Sequence, residues 1–166
     1  MAFTKCSPNV TPQTQPTKAA CWYACFRMLF QWKKDKGENK DPDSILGMLD
    51  KSPNLYPYDM KDSWGIDASE CREAARYLGL QATGDGELDA TALENTIRSR
   101  GPIWVAGNWG SGNHVIVVTA CEAETGKIKY INPYKNDFGT DSNGTISWLN
   151  ARGSLWKNCD ASVMCW

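Results

Sequence analysis

Residues 15–25 read Gln-Pro-Thr-Lys-Ala-Ala-Cys-Trp-Tyr-Ala-Cys, and a cysteine opens the apolar half of that stretch. From Cys21 to Trp32, apolar residues recur at steps of three and four, which predicts a helix from Cys21 to about Lys36. The apolar stripe is broad, so we expect this helix to be central and mostly buried. The first thiol of the stretch is therefore expected at the start of a helix, where the pKa of a cysteine is lowered.

The remaining elements follow in the order of helices first and strands second. Three further helices are expected to begin at N-terminal signals, which are Asp41-Pro42, Asp67 with Glu70 as a capping box, and Thr91 with Glu94. Residues 53–64 are rich in aromatic residues and proline, and we expect a loop there. β-rich runs predict strands at Leu80–Thr83, Ile103–Ala106, Val115–Cys121, Lys127–Ile131 and Thr145–Trp148. We therefore predict an α+β fold, in which an N-terminal helical layer carries the cysteine on its central helix and packs on a C-terminal antiparallel sheet.

The composition is ordinary for a globular chain. With 166 residues, 42% hydrophobic and 22% charged, we expect a single domain over residues 1–166, with an extended lead-in over residues 1–20. The formal net charge of −1 gives no electrostatic basis for binding nucleic acid or a membrane surface. No run is apolar enough to span a bilayer, and no signal segment follows Met1. We expect a monomer that either is delivered by another route or stays in the cytoplasm.

The chain has seven cysteines, and an odd number fits one reactive thiol plus up to three pairs. Three of them fall inside predicted elements and are expected to be small buried side chains: Cys25, Cys71 and Cys121. Three lie near the termini, where a disulfide would stabilise the chain ends most: Cys6, Cys159 and Cys165. The pairing stays open. No C-x-x-C motif occurs and the chain has one histidine, so we expect no metal site and no cofactor.

Four residues could cooperate in nucleophilic catalysis. Cys21 would be the nucleophile, and His114, the only histidine, would be its base at the start of a strand. Asn132 follows the next strand and would position the outer nitrogen of that imidazole. The Gln15 side-chain amide and the Cys21 backbone N–H would stabilise an oxyanion. Each residue alone has an ordinary structural explanation, so the prediction depends on their combination.

A glycine-rich stretch, residues 107–113, precedes His114 and is expected to form a wall of the cleft. It lacks the Lys-Ser/Thr end of a phosphate-binding loop and opens a strand instead of a helix. Substrate contacts are expected at Trp109, Gly112 and Trp22, although packing of Trp109 on the sheet edge is an equal alternative. Aromatic side chains could line the opposite wall at Tyr56, Tyr58 and Trp64.

The combination of Gln15 six positions before Cys21, Gly101-Pro102 before a strand, His114 and Asn132-Pro133 resembles the papain-like superfamily of cysteine peptidases, clan CA. The similarity is greatest to compact bacterial branches, namely the C39-like domains and the AvrRpt2-like effector proteases. It extends over roughly residues 13 to 135. It implies a papain-like fold and a thiol protease with a Cys-His-Asn triad.

The resemblance assigns the nucleophile to Cys21, the base to His114, the orienting residue to Asn132 and the oxyanion amide to Gln15. The motifs depart from those of plant and animal papains, which have Cys-Gly-x-Cys-Trp and Asn-Ser-Trp where this chain has Ala-Ala-Cys-Trp and Asn-Pro-Tyr. Many C39-like members carry aspartate at the position of Asn132. Asp137 is therefore an alternative third member of the triad.

The resemblance also implies a biological role as a secreted bacterial toxin or effector that is delivered into a target cell and cleaves a specific protein there. Its partners would be a protein or peptide substrate and a cognate inhibitor or immunity protein. No inhibitory propeptide is recognisable, which favours control by a partner or by delivery. Four alternatives stay open: a peptidoglycan amidase or endopeptidase, a transglutaminase-type acyl transferase, a non-catalytic papain-fold binding module, and an intracellular maturation peptidase.

Overall fold

The computed structural model describes residues 2–83, 88–108, 112–134, 142–153 and 159–166. The helices formed by these residues are α1 Cys21–Asp35, α2 Ile45–Leu49, α3 Pro57–Asp59, α4 Ala68–Leu78, α5 Ala90–Arg100 and α6 Ile146–Gly153. A 3-10 turn, Pro42–Ser44, precedes α2, and a π-helical turn, Met60–Trp64, follows α3. None of the helices in the described ranges is long and apolar enough to cross a bilayer.

Strands within the described residues form one antiparallel sheet. They are β1 Thr4–Lys5, β2 Gln81–Thr83, β3 Ile103–Asn108, β4 Asn113–Glu122, β5 Lys127–Ile131, β6 Ser142–Thr145 and β7 Val163–Cys165. Their order is β2-β7-β3-β4-β5-β6, and β1 pairs with the far end of β4. In this register Gly107 lies opposite His114, and the last residue of β5, Ile131, lies opposite Val117. The beginning of β4 therefore extends beyond the end of β5.

Helix α1 is the centre of the core and packs on β3 and β4. Phe26 stacks on Trp104 of β3, with ring centroids 5.0 Å apart. The Trp104 indole Nε1 donates a hydrogen bond to the Trp22 carbonyl at 3.2 Å. These contacts confirm the predicted buried helix, and they set the position of its N-terminus relative to the sheet.

Residues 57–64 are helical, so the expectation of a loop was wrong. Pro57 occupies the first helical position, where its fixed φ is favourable. Met60 is completely buried and anchors the turn to the core. Gly65 then closes the π-helical turn with an N–H···O bond to Met60 of 2.8 Å, at φ +78°. The aromatic residues of this segment are therefore held on a helical surface.

Other boundaries differ in ways that side-chain hydrogen bonds explain. Helix α5 begins at Ala90 because Asp89, not Thr91, accepts the bond from the Ala92 N–H. The strand expected over Thr145–Trp148 ends at Thr145, whose hydroxyl accepts from the Trp148 N–H and starts α6. The Asp67 and Glu70 capping box is present in full.

All seven cysteines have free thiols. Cys25, Cys71 and Cys121 are completely buried, as predicted. Cys71 shares a side-chain hydrogen bond with Cys159, which raises the pKa of Cys71 and lowers that of Cys159 to about 7.

Candidate active site

Cys21 is the first residue of α1, and its side chain lies at the edge of the core with 8% of its surface exposed. Burial raises the pKa of the Cys21 thiol to about 11. Hydrogen bonds from the backbone of Val115, Trp22 and Cys21 itself act in the opposite direction. The pKa is raised in spite of these bonds, so the lowering expected from the position of Cys21 at a helix start does not dominate.

His114 is the second residue of β4, and its Nε2 lies 2.7 Å from Oδ1 of Asn132. The backbone N–H of Tyr134 donates to the same Oδ1 at 3.0 Å. A backbone N–H can only donate, so this network assigns the atom as the amide oxygen and requires Nε2 to carry a proton. In that neutral tautomer the basic lone pair is on Nδ1.

Cys21 and His114 face one cavity of about 280 Å³. On one side the cavity is lined by the start of β4, through Asn113, His114 and Val115. The rest of its wall comes from the loop before α1 and the segment after α3: Lys18, Ala19, Trp64, Gly65, Ile66 and Asp67. The structure therefore brings together two of the four predicted catalytic residues at an open cleft, and Asn132 contacts the second of them.

The aromatic wall of this cleft is fixed to the loop that precedes Cys21. The Thr17 hydroxyl donates to the Lys61 carbonyl of the π-helical turn. Trp64 lines the cavity and is 66% exposed, and the Tyr56 ring packs edge-on against it at 6.4 Å. Tyr58 is exposed on the same segment. Trp64 thus lines the same cavity as His114.

Gln15 shapes the loop that leads to the helix. Its Nε2 donates to the carbonyls of Thr17 at 2.8 Å and Lys18 at 3.2 Å. Its backbone N–H donates to the Pro133 carbonyl at 2.9 Å, which connects this loop to the residue after Asn132. The oxyanion role of Gln15 stays a prediction.

The predicted substrate contacts at Trp22, Gly112 and Trp109 compare differently with the structure. Trp22 is completely buried against Tyr23 and Phe26, so it is a core residue and the expected substrate contact there is corrected. Its place directly after Cys21 turns it to the inner face of α1. Gly112 is exposed beside the cavity residue Asn113 and has a φ of +132°. Trp109 lies outside the described residues, as does Asp137.

Sequence reasoning missed Val115, which lines the cleft next to His114, because the side-chain pattern carries no signal for it. It also missed Lys18 and Asp67, which are polar residues flanking helix starts and line the cleft. Within the described parts of the chain, no group of three or more His, Cys, Asp or Glu residues could hold a metal ion.

The geometry around Cys21 and His114 agrees with a match between the sequence and a known protein family. A family model described as papain-like cysteine protease AvrRpt2, peptidase family C70, matches residues 5–152. The chain belongs to this family. It is accordingly a papain-like cysteine peptidase, and the predicted superfamily and enzyme class are confirmed.

A solved structure supports the fold of this AvrRpt2-family protease. The peptidase domain of Streptococcus ComA, a bifunctional ABC transporter involved in a quorum-sensing pathway, superimposes with a TM-score of 0.58 and 16% sequence identity. The match covers 95% of this chain and 97% of that chain. The predicted papain-like α+β fold is therefore confirmed. No curated protein matches the sequence.

Proposed function

We propose that this protease hydrolyses peptide bonds in a protein substrate through a triad of Cys21, His114 and Asn132. The observation that carries the proposal is the hydrogen-bond network around His114. Oδ1 of Asn132 lies 2.7 Å from Nε2 of His114, and the Tyr134 N–H fixes the orientation of the Asn132 amide. The remaining ring nitrogen belongs to a side chain that shares its cavity with the Cys21 thiol.

The first step would be transfer of the thiol proton to Nδ1 of His114. Burial outweighs the backbone hydrogen bonds and raises the pKa of Cys21 to about 11, so a solitary thiolate is disfavoured at neutral pH. A neighbouring imidazolium would offset that cost, because opposite charges attract strongly in a site partly shielded from water. Asn132 would keep the ring oriented while it carries the proton.

The thiolate would then attack the scissile carbonyl carbon and form a tetrahedral oxyanion. The Cys21 backbone N–H lies at the start of α1, where helix amides lack partners, and would donate to that oxygen. Gln15 would add its amide after exchanging one of its bonds to the Thr17 and Lys18 carbonyls. His114 would protonate the leaving amine, and then activate a water molecule that hydrolyses the thioester and restores the thiol.

The test combines hydrolysis with active-site labelling. New N-termini are measured by proteomics in cells that express the wild type or Cys21→Ala, and a thiol-directed epoxide is applied to both purified proteins. Substrate cleavage and labelling of Cys21 only in the wild type are expected. Incorporation of an added amine without hydrolysis would indicate an acyl transferase, and cleavage of purified peptidoglycan but of no protein would contradict the proposed substrate class.

For the biological role, we propose a bacterial effector or toxin that acts inside a target cell and is restrained by an inhibitor in its producer. The support is the family match, because the sequence motifs resemble AvrRpt2-like effector proteases. Growth is compared in bacteria and in a eukaryotic host that express the wild type or Cys21→Ala. Toxicity that depends on Cys21 is expected in one of them. Toxicity that survives Cys21→Ala, or no toxicity in any host, would contradict this role.

A further inference from the structure

Val115 lies at a place where the pairing of the sheet is incomplete on one side. It is opposite Ala106 of β3. The Ala106 N–H donates to Ser162 at 2.8 Å and thus points to β7, away from β4. Opposed residues of an antiparallel pair either exchange both backbone bonds or neither, so the Val115 N–H and C=O point away from β3. On that other side β5 pairs with β4 only from Val117 onward.

A cysteine thiol of α1 meets one of these backbone groups. The Cys25 thiol donates to the Val115 carbonyl at 3.4 Å. Cys21, one helical turn earlier, lines the same cavity as His114 and Val115. A buried backbone group without a partner is costly, so the Cys25 contact matters for the local arrangement. The strand that carries His114 is thus joined to the helix that carries Cys21 by a hydrogen bond at the residue next to His114.

We propose that Cys25 is a positioning residue for catalysis, whose thiol holds the Val115 carbonyl and thereby keeps the neighbouring His114 on the wall of the cavity that it shares with Cys21. The inference rests on the proposed triad. Cys25 is completely buried and does not line the cleft, so it touches neither substrate nor reacting atoms. Its effect would come from the distance and angle between the nucleophile and its base, and a displacement of about 1 Å is enough to slow an enzyme strongly.

The test compares variants at position 25 that differ in their hydrogen-bonding ability. Cys25→Ser keeps a donor and Cys25→Ala removes it, while both leave a smaller side chain. Cys25→Thr and Cys25→Val form a second pair of nearly equal shape, which keeps the comparison available if the alanine variant is unstable. The matched control is Cys121→Ala, because Cys121 is equally buried on β4 and donates to the Ala90 carbonyl at 3.6 Å.

Three quantities are measured for each variant: kcat, KM and the pH dependence of Cys21 alkylation. The tryptic peptide Ala19–Arg27 contains Cys21 and Cys25, so fragmentation of this peptide in tandem mass spectrometry assigns the label to Cys21 separately from Cys25 and from the other cysteines. We expect kcat of Cys25→Ala to fall about tenfold with KM within about twofold, and the alkylation inflection to move to higher pH. Cys25→Ser and Cys25→Thr are expected to restore most of the wild-type kcat and pH profile. Cys121→Ala is expected to lower the melting temperature with little change in kcat.

Several outcomes would overturn the inference. An equal loss in Cys25→Ser and Cys25→Ala, or in Cys25→Thr and Cys25→Val, would mean that side-chain volume and not the hydrogen bond matters. A wild-type kcat and pH profile in Cys25→Ala would remove any positioning role. Turnover that survives Cys21→Ala would overturn the triad and this inference with it, so the two failures are distinguishable.

Discussion

The two ends of β4 have the same backbone conformation but different surroundings. At the far end, Cys121 lies between two strands, opposite Thr4 of β1 and Ile128 of β5. At the near end, which begins at Asn113, β5 no longer runs alongside β4. Here His114 and Val115 form hydrogen bonds with side chains instead. The far end therefore uses its backbone to complete the sheet, whereas the near end offers polar groups to α1 and to Asn132.

This difference shows why the candidate site lies where sheet pairing stops. A fully paired strand has no N–H to give to a thiolate, because each group is already used in the ladder. A strand that extends past its neighbour has such groups in a rigid frame. Substitutions near His114 are therefore expected to change chemistry, and substitutions near Cys121 to change stability.

The largest effect is expected from Cys21→Ala. Without the sulfur no thioester can form, and kcat/KM should fall by at least about 10⁴-fold. The melting temperature should stay close to that of the wild type, because the methyl group still fits the start of α1. Peptide hydrolysis and thermal unfolding are measured on the same preparation. Retained turnover would show that another thiol is the nucleophile.

His114→Ala should be nearly as damaging, with kcat/KM lower by about 10³-fold. It should also shift the alkylation of Cys21 to higher pH. Without the imidazolium, burial would favour the neutral thiol, so the inflection should lie above the usual pKa of about 8.5 for a free thiol. The rate of iodoacetamide alkylation is measured from pH 5 to 11. An unchanged profile would mean that helix amides alone activate the thiol.

Asn132→Ala should cost less, about 10²-fold at most in kcat/KM, because the role proposed for Asn132 is to orient the base without bonding to substrate. Asn132→Asp should retain more activity than Asn132→Ala. The carboxylate can accept from both the His114 Nε2–H and the Tyr134 N–H, whereas alanine leaves both donors without this acceptor. Equal activity of Asn132→Ala and the wild type would remove Asn132 from the triad.

Ile128→Ala tests the opposite end of β4 and should have the smallest effect on turnover. Ile128 is completely buried opposite Cys121, and truncation should lower the free energy of unfolding by about 2–5 kcal/mol. Below the melting temperature, kcat should change less than about twofold, since the start of β4 is held separately by α1. A large loss of kcat in the folded variant would contradict the separation of the two ends.

The sequence predicted elements that have strong local signals. Helix α1 has its apolar stripe, and α4 has the Asp67 and Glu70 capping box. Strands β1 and β7 have two and three residues and exist because neighbouring strands pair with them, so no local pattern could identify them. The π-helical turn was missed because a proline-rich aromatic segment is equally typical of a loop.

In the candidate site, too, only the residues with a local sequence signal could be predicted. His114 and Asn132 could be proposed from the sequence because each follows or opens a recognisable strand. The contact of Cys25 with Val115 could not, because it depends on the strand register and on where β5 ends. The burial of Trp22 agrees with the apolar stripe predicted for α1, and it contradicts the substrate contact that was also expected there, because the indole packs against Phe26 in the core.

The bond between Cys25 and Val115 joins positions separated by 90 residues in the chain. Helix α1 can form locally within microseconds, whereas docking it on β4 requires closure of a long loop and is slower. Before docking, Cys21 would lack the base proposed for it, so an unfolded or half-folded chain would not hydrolyse the proteins around it. Recovery of hydrolysis during refolding should therefore report the docking of α1 on β4, while far-ultraviolet circular dichroism reports the helix earlier.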